Sequence, residues 1–348
     1  MSSTRGFGFA EHGGLDRLGF VDVPEPEPGP EEVRVRVRAA GFNHLDRFTL
    51  EGIPGVPIER PHILGSDGAG VVDRTGPAVT GLAPGEKVLL NPGLWDGTCE
   101  ACRRGDEALC RNYRILGEHT QGSAAPFVVV PRRNVHPLPP ALSFAQGAAA
   151  ALVYLTAWRA LRTIGQLQAG ERVAVIGAGG GVATAAVQVA RLMGASVAVA
   201  SRSPAKEAAS RSLGAEAFVP FDADHPLDRG LWQWSEKRGV DLIFDSVGAP
   251  TLPRAMRALA RGGRIVTIGA TAGPTVEVDI RTLFWRQASI RGSTMSNDRE
   301  FREVLAHLAA GRLRPVIDTE LPFEQAGQAF RRLDAPDLFG KVVVSLPP

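Results

Sequence analysis

The fold is decided by Arg172–Gly194, RVAVIGAGGGVATAAVQVARLMG. An apolar strand, RVAVIGAG, runs into a glycine-rich turn, and GVATAAVQVARLMG follows as a helix stopped by Gly194. Gly177, Gly180 and Ala183 stand at three-residue intervals across that junction. Small residues there permit a tight turn, close approach of a pyrophosphate, and close packing of helix on strand. The helix N-terminus, with Gly181 and Val182 in its first turn, offers N–H groups and a positive dipole end to phosphates. A glycine cluster alone would suit any flexible loop; the strand–turn–helix setting makes this one a dinucleotide site.

Beyond it, strands and helices alternate. SVAVAS is a strand, and SPAKEAASRSLG is a helix with Ser203 as N-cap, Pro204 in its first turn and Gly214 past its end. DLIFDSVG, GRIVTIGA and SIRGSTM supply further strands. This alternation predicts a parallel sheet covered on both faces, the doubly wound α/β fold. Ser246, Val247 and Gly248 fall at a strand's carboxyl end, where open sheets of this kind bind ligands. Gly269 and Ser293, in the later strand segments, complete the expected cofactor-binding set. The end of the second strand selects the nucleotide. NAD sites usually hold the ribose 2′-hydroxyl on an acidic residue; here the chain has Ser201, then Arg202 and Lys206. A lysine in a helix's first turn opposes the dipole by a few tenths of a kcal/mol, on the order of 0.3, and a 2′-phosphate reverses that sign. NADP(H) is expected, the alternative being two solvated surface cations.

Upstream the texture differs. EEVRVRVRAA alternates Val33, Val35 and Val37 with Arg34, Arg36 and Arg38, the period of a half-buried strand. Short apolar segments punctuated by Gly and Pro follow, including ILGSDGAGVVDRTG, GLAPGEKVLLNPG and APFVVVPRRN, and predict a loop-rich β domain. From SFAQGAAAALVYLTAWRALRTIG onward the chain turns helical. The tail, ending in the strand GKVVVSL, is expected to return to the first domain, so the division reads 1–152 with 297–348, and 153–296.

A net charge of +2 over 348 residues carries no commitment to nucleic acid or anionic membrane. No apolar run approaches the ~20 residues a membrane span needs. The start, MSSTRGFGFAEHGG, lacks the pattern of a secretion signal, and three cysteines make no disulfide framework. A soluble cytoplasmic protein is expected. Cys99, Cys102 and Cys110 all lie in LWDGTCEACRRGDEALC, Leu94–Cys110, at spacings that suit a tetrahedral metal, yet three thiols leave one ligand short.

In its order of parts the chain resembles the medium-chain dehydrogenase/reductase family over essentially its whole length. GSDGAGVV, LTAW, the glycine turn, DSVG and GKVVV carry the resemblance. It implies a GroES-like β-rich catalytic domain plus a doubly wound parallel Rossmann domain, with a structural-zinc lobe at 93–112. The family's lobe pattern, Cys-x-x-Cys-x-x-Cys-x-x-Gly-x-x-x-x-Cys, puts its last three cysteines on Cys99, Cys102 and Cys110, its glycine on Gly105, and its first cysteine on Asp96. A carboxylate is a competent zinc ligand, so the resemblance implies one structural Zn2+ per chain on Asp96, Cys99, Cys102 and Cys110. A metal-free lobe with free thiols and a Cys99/Cys102 redox pair are the alternatives.

The family's catalytic zinc ligands correspond to Asn43, Ser66 and Leu152, with Asp67 in place of the neighbouring glutamate. The first three are poor or impossible zinc ligands. Leu45 and Phe48 stand at the proton-relay positions, and neither tyrosine, Tyr113 or Tyr154, has a lysine four residues on. The chain therefore resembles the zinc-free quinone oxidoreductase and enoyl reductase branch, whose G-x-N-x-x-D segment matches Gly41, Asn43 and Asp46, although Phe48 replaces a frequent tyrosine and the lobe is retained. That branch implies NADPH-dependent reduction of quinones or α,β-unsaturated carbonyls by direct hydride transfer, with charge developing on a conjugated oxygen that a few donors can hold. The catalytic set is Asn43, His44 and Asp46. Asn43 would orient the substrate oxygen or nicotinamide, or else is a turn asparagine bonding its own backbone. Asp46 would fix local backbone rather than act as a base, and His44 would touch a cofactor phosphate. Thr156 resembles the residue beside the nicotinamide, and Lys341 the late basic residue near the pyrophosphate. Glu118 and His119 are further candidates for the edge of the cleft. ASIRGSTM resembles the edge strand through which family members pair, so a homodimer or homotetramer is expected. Two other readings remain open: an alcohol dehydrogenase or carbonyl reductase with a metal site rebuilt on Asp67 with His44 or His62, and a low-turnover NADP-binding sensor.

Overall fold

The computed structural model describes residues 3–347. They fall into two compact units, one of the residues up to Leu152 with Asn297–Ala335 and Gly340 onward, the other Val153–Ser296 with Pro336–Phe339. The last segment departs from the expected boundaries: four residues of the tail pack with the second unit.

In the first unit the strands are β1 (Ser3–Phe9), β2 (Leu18–Pro24), β3 (Glu32–Phe42), β4 (His62–Ile63), β5 (Asp67–Thr75), β6 (Lys87–Leu90), β7 (Gly93–Leu94), β8 (Arg114–Ile115), β9 (Phe127–Pro131) and β10 (Val135–Pro137). The tail returns β17 (Ile317–Pro322) and β18 (Lys341–Ser345). The main sheet runs β10-β6-β5-β3-β18-β17, with β9 also on β3, and a small sheet runs β2-β1-β4. Val33, Val35 and Val37 are fully buried, as the alternation requires. Arg34 departs from the expected pattern of solvated arginines. It is 2 % exposed, because its guanidinium meets Asp73 at 2.7 Å, Glu27 at 2.8 Å and Glu25 at 3.1 Å. A buried cation is tolerated when its donors are met by carboxylates.

α1 (His44–Glu51) follows β3 directly, α2 (Glu100–Arg103) lies in the cysteine lobe, and α3 (Phe144–Trp158) starts in this unit. Ser143 and Gln146 exchange side-chain-to-backbone bonds at the start of α3, a capping box. Gly41 is needed for the approach of α3 to β3: a Cβ there would lie 2.5 Å from the Ala148 carbonyl oxygen and 3.1 Å from the Asp67 Cβ.

The second unit holds β11 (Arg172–Ile176), β12 (Ser196–Ser201), β13 (Ala217–Pro220), β14 (Val240–Asp245), β15 (Leu259–Thr267) and β16 (Ser289–Gly292). All neighbours are parallel, in the order β13-β12-β11-β14-β15-β16. The order reverses at β11, the switch point of a doubly wound sheet. α4 (Gly181–Leu192), α5 (Glu207–Ser212), α6 (Leu227–Trp234), α7 (Leu252–Arg257) and α8 (Ile280–Arg286) are its helices. Leu227, Leu231, Leu252 and Met256 pack with Ile176, Ile243 and Ile265 into one core. α9 (Asp298–Ala309) then opens the returning tail.

Candidate active site and metal centre

The glycine turn joins β11 to α4 at the switch point. Gly177 and Gly179 have φ of 90° and 102°, conformations that other residues adopt only with strain. A Cβ on Gly179 would also lie 2.1 Å from the Leu338 carbonyl oxygen. Gly180 is the N-cap of α4 and Gly181 its first residue, with Val182 next, so the amides opening the helix are backbone without bulky cover. Ser201 ends β12, its Oγ accepting the Ser203 N–H at 3.2 Å, and Arg202 is exposed beside it. The expected single helix from Ser203 is instead a 3-10 turn, Pro204–Lys206, followed by α5. The turn brings the Lys206 ammonium onto the glycine loop, where it donates to the Ala178 carbonyl at 3.2 Å.

Ser246 and Val247 follow β14, and their loop is shaped by the first residue of DSVG, to which the sequence reading gave no role. Asp245 is fully buried and accepts the Gly248 N–H at 3.0 Å and the Thr251 hydroxyl at 2.9 Å. Burial pushes its carboxyl up. Gly269 and Ser293 follow β15 and β16; the Ser293 Oγ is buried without a hydrogen-bond partner. Thr156 is buried in the second half of α3.

In the first unit, Asn43, Asp46, Asp67 and Lys341 form one buried polar cluster. Asn43 caps α1, and its backbone N–H donates to Asp46 Oδ2 at 2.7 Å. Asp46, fully buried, also accepts the Gly65 N–H at 2.7 Å, so it fixes two backbone segments. Burial pushes its carboxyl up to about 7, with the Asp67 charge adding to the rise. The Asn43 amide donates to Asp67 Oδ2 at 2.9 Å. The Lys341 ammonium donates to Asp67 Oδ2 at 2.8 Å, to the Phe42 carbonyl at 2.8 Å, and to Asn43 Oδ1. Asp67 Oδ1 accepts the Leu152 N–H at 2.7 Å.

These contacts bear on two of the expected site residues. Lys341, assigned to the pyrophosphate, is 3 % exposed and spends its three N–H donors inside the first unit. Asn43, expected to orient the substrate oxygen or the nicotinamide or else to be a turn asparagine, has its amide engaged on both atoms within the cluster. His44 follows it in the first turn of α1, partly buried, and burial lowers its basicity. Ser66, beside Asp67, is fully buried and its hydroxyl has no partner.

The lobe brings Asp96, Cys99, Cys102 and Cys110 together. Their ligand atoms all lie within 4.8 Å of one another, among the described residues the one such group of three or more His, Cys, Asp or Glu. The Cys99 and Cys102 sulfurs are 3.5 Å apart, and Cys102 Sγ is 3.4 Å from Asp96 Oδ1. Two thiolates on tetrahedral zinc, each at ~2.3 Å, would be about 3.8 Å apart, so the donor set fits such an ion. The Cys99 and Thr98 N–H groups donate to Asp96 Oδ1 at 2.9 and 2.8 Å, and the Asn112 amide donates to Oδ2 at 2.8 Å. Those donors, the Cys99 amide foremost, hold the carboxyl well below its usual range. Asn112 is the lobe residue that sequence reasoning missed; a polar side chain two residues past the last ligand was the available signal.

No helix among the described residues is long and apolar enough to cross a membrane. A family model for the alcohol dehydrogenase GroES-like domain matches residues 29–140, and one for zinc-binding dehydrogenases matches residues 181–310. A crystal structure of an NAD-dependent alcohol dehydrogenase superposes with a TM-score of 0.92 at 39% identity, covering 99% of this chain and 100% of that one. A zinc-type alcohol dehydrogenase-like protein of Schizosaccharomyces pombe is 30% identical over 88% of this chain and 89% of its own length. A 2-octenoyl-CoA carboxylase reductase, solved with NADP and 2-octenoyl-CoA, superposes at 0.91 with 26% identity, covering 99% of this chain and 88% of that one. With a GroES-like β unit, a parallel Rossmann sheet and these relatives over nearly its whole length, the chain belongs to the medium-chain dehydrogenase/reductase family and is an oxidoreductase.

Proposed function

We propose that this oxidoreductase uses NADPH to reduce quinones or α,β-unsaturated carbonyls without a catalytic metal, keeping one structural zinc in its lobe. The observation that carries the reading is the state of Asp67. Both its oxygens are taken, by the Lys341 ammonium, the Asn43 amide and the Leu152 N–H. A dication beside it would meet a buried ammonium and, at Asn43, Ser66 and Leu152, neither thiolate nor imidazole. A rebuilt site is disfavoured on the same grounds: His62 Nε2 lies 3.1 Å from the Gly117 carbonyl, and His44 and Asp67 belong to no convergent ligand group among the described residues.

A reduced nicotinamide bound to the second unit would supply the hydride. The chain's own contribution is the α4 N-terminus for the pyrophosphate and the exposed Arg202 with Lys206 for a 2′-phosphate. A relative that takes NADP and an enoyl thioester supports both halves of the reading. In the lobe, Asp96, Cys99, Cys102 and Cys110 would hold zinc as a structural ion, closing four coordination positions. A cytoplasmic homo-oligomer follows from the same reading. β16 is an outer strand of its sheet, and Ile280, Phe284 and Trp285 on neighbouring α8 are 62%, 62% and 68% exposed.

The test is an NADPH-oxidation screen over quinones, enals, enoyl thioesters and ketones, with metal analysis of the same preparation. Turnover of conjugated acceptors with about one zinc per chain supports the reading. Two zincs per chain with NAD-linked alcohol oxidation would replace it by the alcohol dehydrogenase alternative.

A further inference from the structure

We propose that Cys99 and Cys102 are a site of reversible oxidation by peroxides, and that closing a disulfide between them releases the lobe's zinc and loosens the start of α9. The proposal rests on the structural-zinc part of the reading above and goes beyond it.

The three cysteines are free thiols, and two of them are placed to pair. Cys99 is the N-cap of α2 and Cys102 lies one turn on, so their sulfurs face each other at 3.5 Å. A disulfide needs about 2.05 Å, a closure of roughly 1.5 Å. Cys-x-x-Cys at a helix start is a spacing that redox-active pairs use. Cys110 is held apart from this helix. It reaches the cluster from the 3-10 turn Glu107–Leu109, its N–H on the Glu107 carbonyl and its own carbonyl on the Tyr113 N–H, and it is 6% exposed. Cys102 is the accessible thiol, half-buried and followed by exposed Arg103, Arg104 and Gly105. A small oxidant therefore meets Cys102 first, and Cys99 lies within reach to resolve it.

Asp96 sets the end point. Four thiols around one ion could close two disulfides. Here the fourth position is a carboxylate, which binds a metal but forms no disulfide, so oxidation stops after one bond with Cys110 left as a thiol. Asp96 and Cys110 are then two donors of the four that tetrahedral zinc takes, too few to retain it.

The step balances. Cys102 Sγ attacks one peroxide oxygen; an S–O bond forms, the O–O bond breaks, and hydroxide leaves. Cys99 Sγ then attacks the Cys102 sulfur; the S–S bond forms, the S–O bond breaks, and a second hydroxide leaves. The two sulfurs lose two electrons, the peroxide gains them, and two protons turn both hydroxides into water.

The effect passes to α9, in the same unit, because the turn between Cys102 and Cys110 holds that helix's first residues. The Asn297 amide donates to the Gly105 carbonyl at 3.2 Å, and the Asp298 N–H donates to Glu107 Oε2 at 3.3 Å. The first N–H groups of a helix have no partner within it. Asn297 Oδ1 meets the Glu300 N–H, while Glu107 of the lobe meets that of Asp298. Breaking up the donor set loosens this turn and withdraws both contacts from α9.

The test treats the zinc-loaded full chain with a small excess of hydrogen peroxide beside a chromophoric zinc chelator, against an untreated control. Zinc should pass to the chelator, and peptide mass mapping should show a Cys99–Cys102 disulfide with Cys110 as the one thiol left of three. Hydrogen exchange in the first turns of α9 should quicken about tenfold as its caps are lost. A dithiol with added zinc should restore all of this, which oxidised methionine would not allow. Asp96→Cys should go on to a second disulfide and keep no free thiol. Zinc retained after oxidation, Cys110 found in the disulfide, or α9 exchange unchanged each overturns the proposal, with the structural-zinc reading left standing. A chain that takes up no zinc before any peroxide is added overturns that reading, and the switch with it.

Discussion

Replacing Lys341 with methionine keeps the aliphatic stem and removes the ammonium alone. In the native chain the ammonium is buried to 3 % exposure and the Asp67 carboxylate to 0 %. Its loss leaves that carboxylate with only the Asn43 and Leu152 donors, and leaves the Phe42 carbonyl without its lysine partner. Truncating one side of a buried ion pair costs about 3–5 kcal/mol, because the remaining charge keeps its desolvation penalty. At roughly 2–4 °C per kcal/mol for a unit of this size, the transition of the first unit should fall by on the order of 10 °C. Adding Asp67→Asn removes the stranded charge, and the Asn43 amide can turn to accept from the new one, so the double variant should recover most of the loss. Thermal and urea unfolding of the two single variants and the double complete a mutant cycle. A loss below about 1 kcal/mol for Lys341→Met would mean the pair behaves as a solvated one. A double variant no more stable than the single would show that the ammonium's other two acceptors, not Asp67, account for its placement.

Three further outcomes are expected. Asp96→Ala should lower bound zinc below one per chain and reduce thermal stability, and Asn112→Ala should weaken zinc about 10–100-fold by freeing the carboxylate, both read by metal analysis against a competing chelator. Unchanged zinc in Asp96→Ala would mean another fourth ligand. Removing Arg202 and Lys206 together should cost NADPH about 2–3 kcal/mol, roughly 100-fold in affinity, while NADH changes little; equal loss of both nucleotides defeats the 2′-phosphate assignment. On the proposed homo-oligomer, Trp285→Asp should give a monomer mass in sedimentation experiments where the unaltered chain gives a multiple of it; a monomeric unaltered chain overturns that proposal, and an unaltered multiple in the variant places the interface elsewhere.

The Rossmann unit was legible from residue order because its signals are local. The periodic run of Arg172–Gly194 contains strand, turn and helix within one short window, and parallel strands separated by helices follow from repeated alternation. The three cysteines of the lobe were legible for the same reason, since they span only Cys99–Cys110; Asp96 joined them through the family resemblance, and the folded lobe gathers all four. What escaped were charges whose meaning depends on partners far along the chain. Arg34 looked like one of three solvated arginines until the loop at Glu25 and Glu27 and the neighbouring Asp73 surrounded it. Lys341 was expected, by resemblance, near the pyrophosphate. The antiparallel register that sets Val342 opposite Phe42 delivers its ammonium to Asn43 and Asp67 instead. Glu118 and Asp46, 72 positions apart by number, influence each other only because Gly117 and Asp46 both hold the Gly65 backbone. Periodicity reports which face of an element is apolar. Which charge meets which is set by strand register and close backbone approach, and these exist only once the β unit has closed.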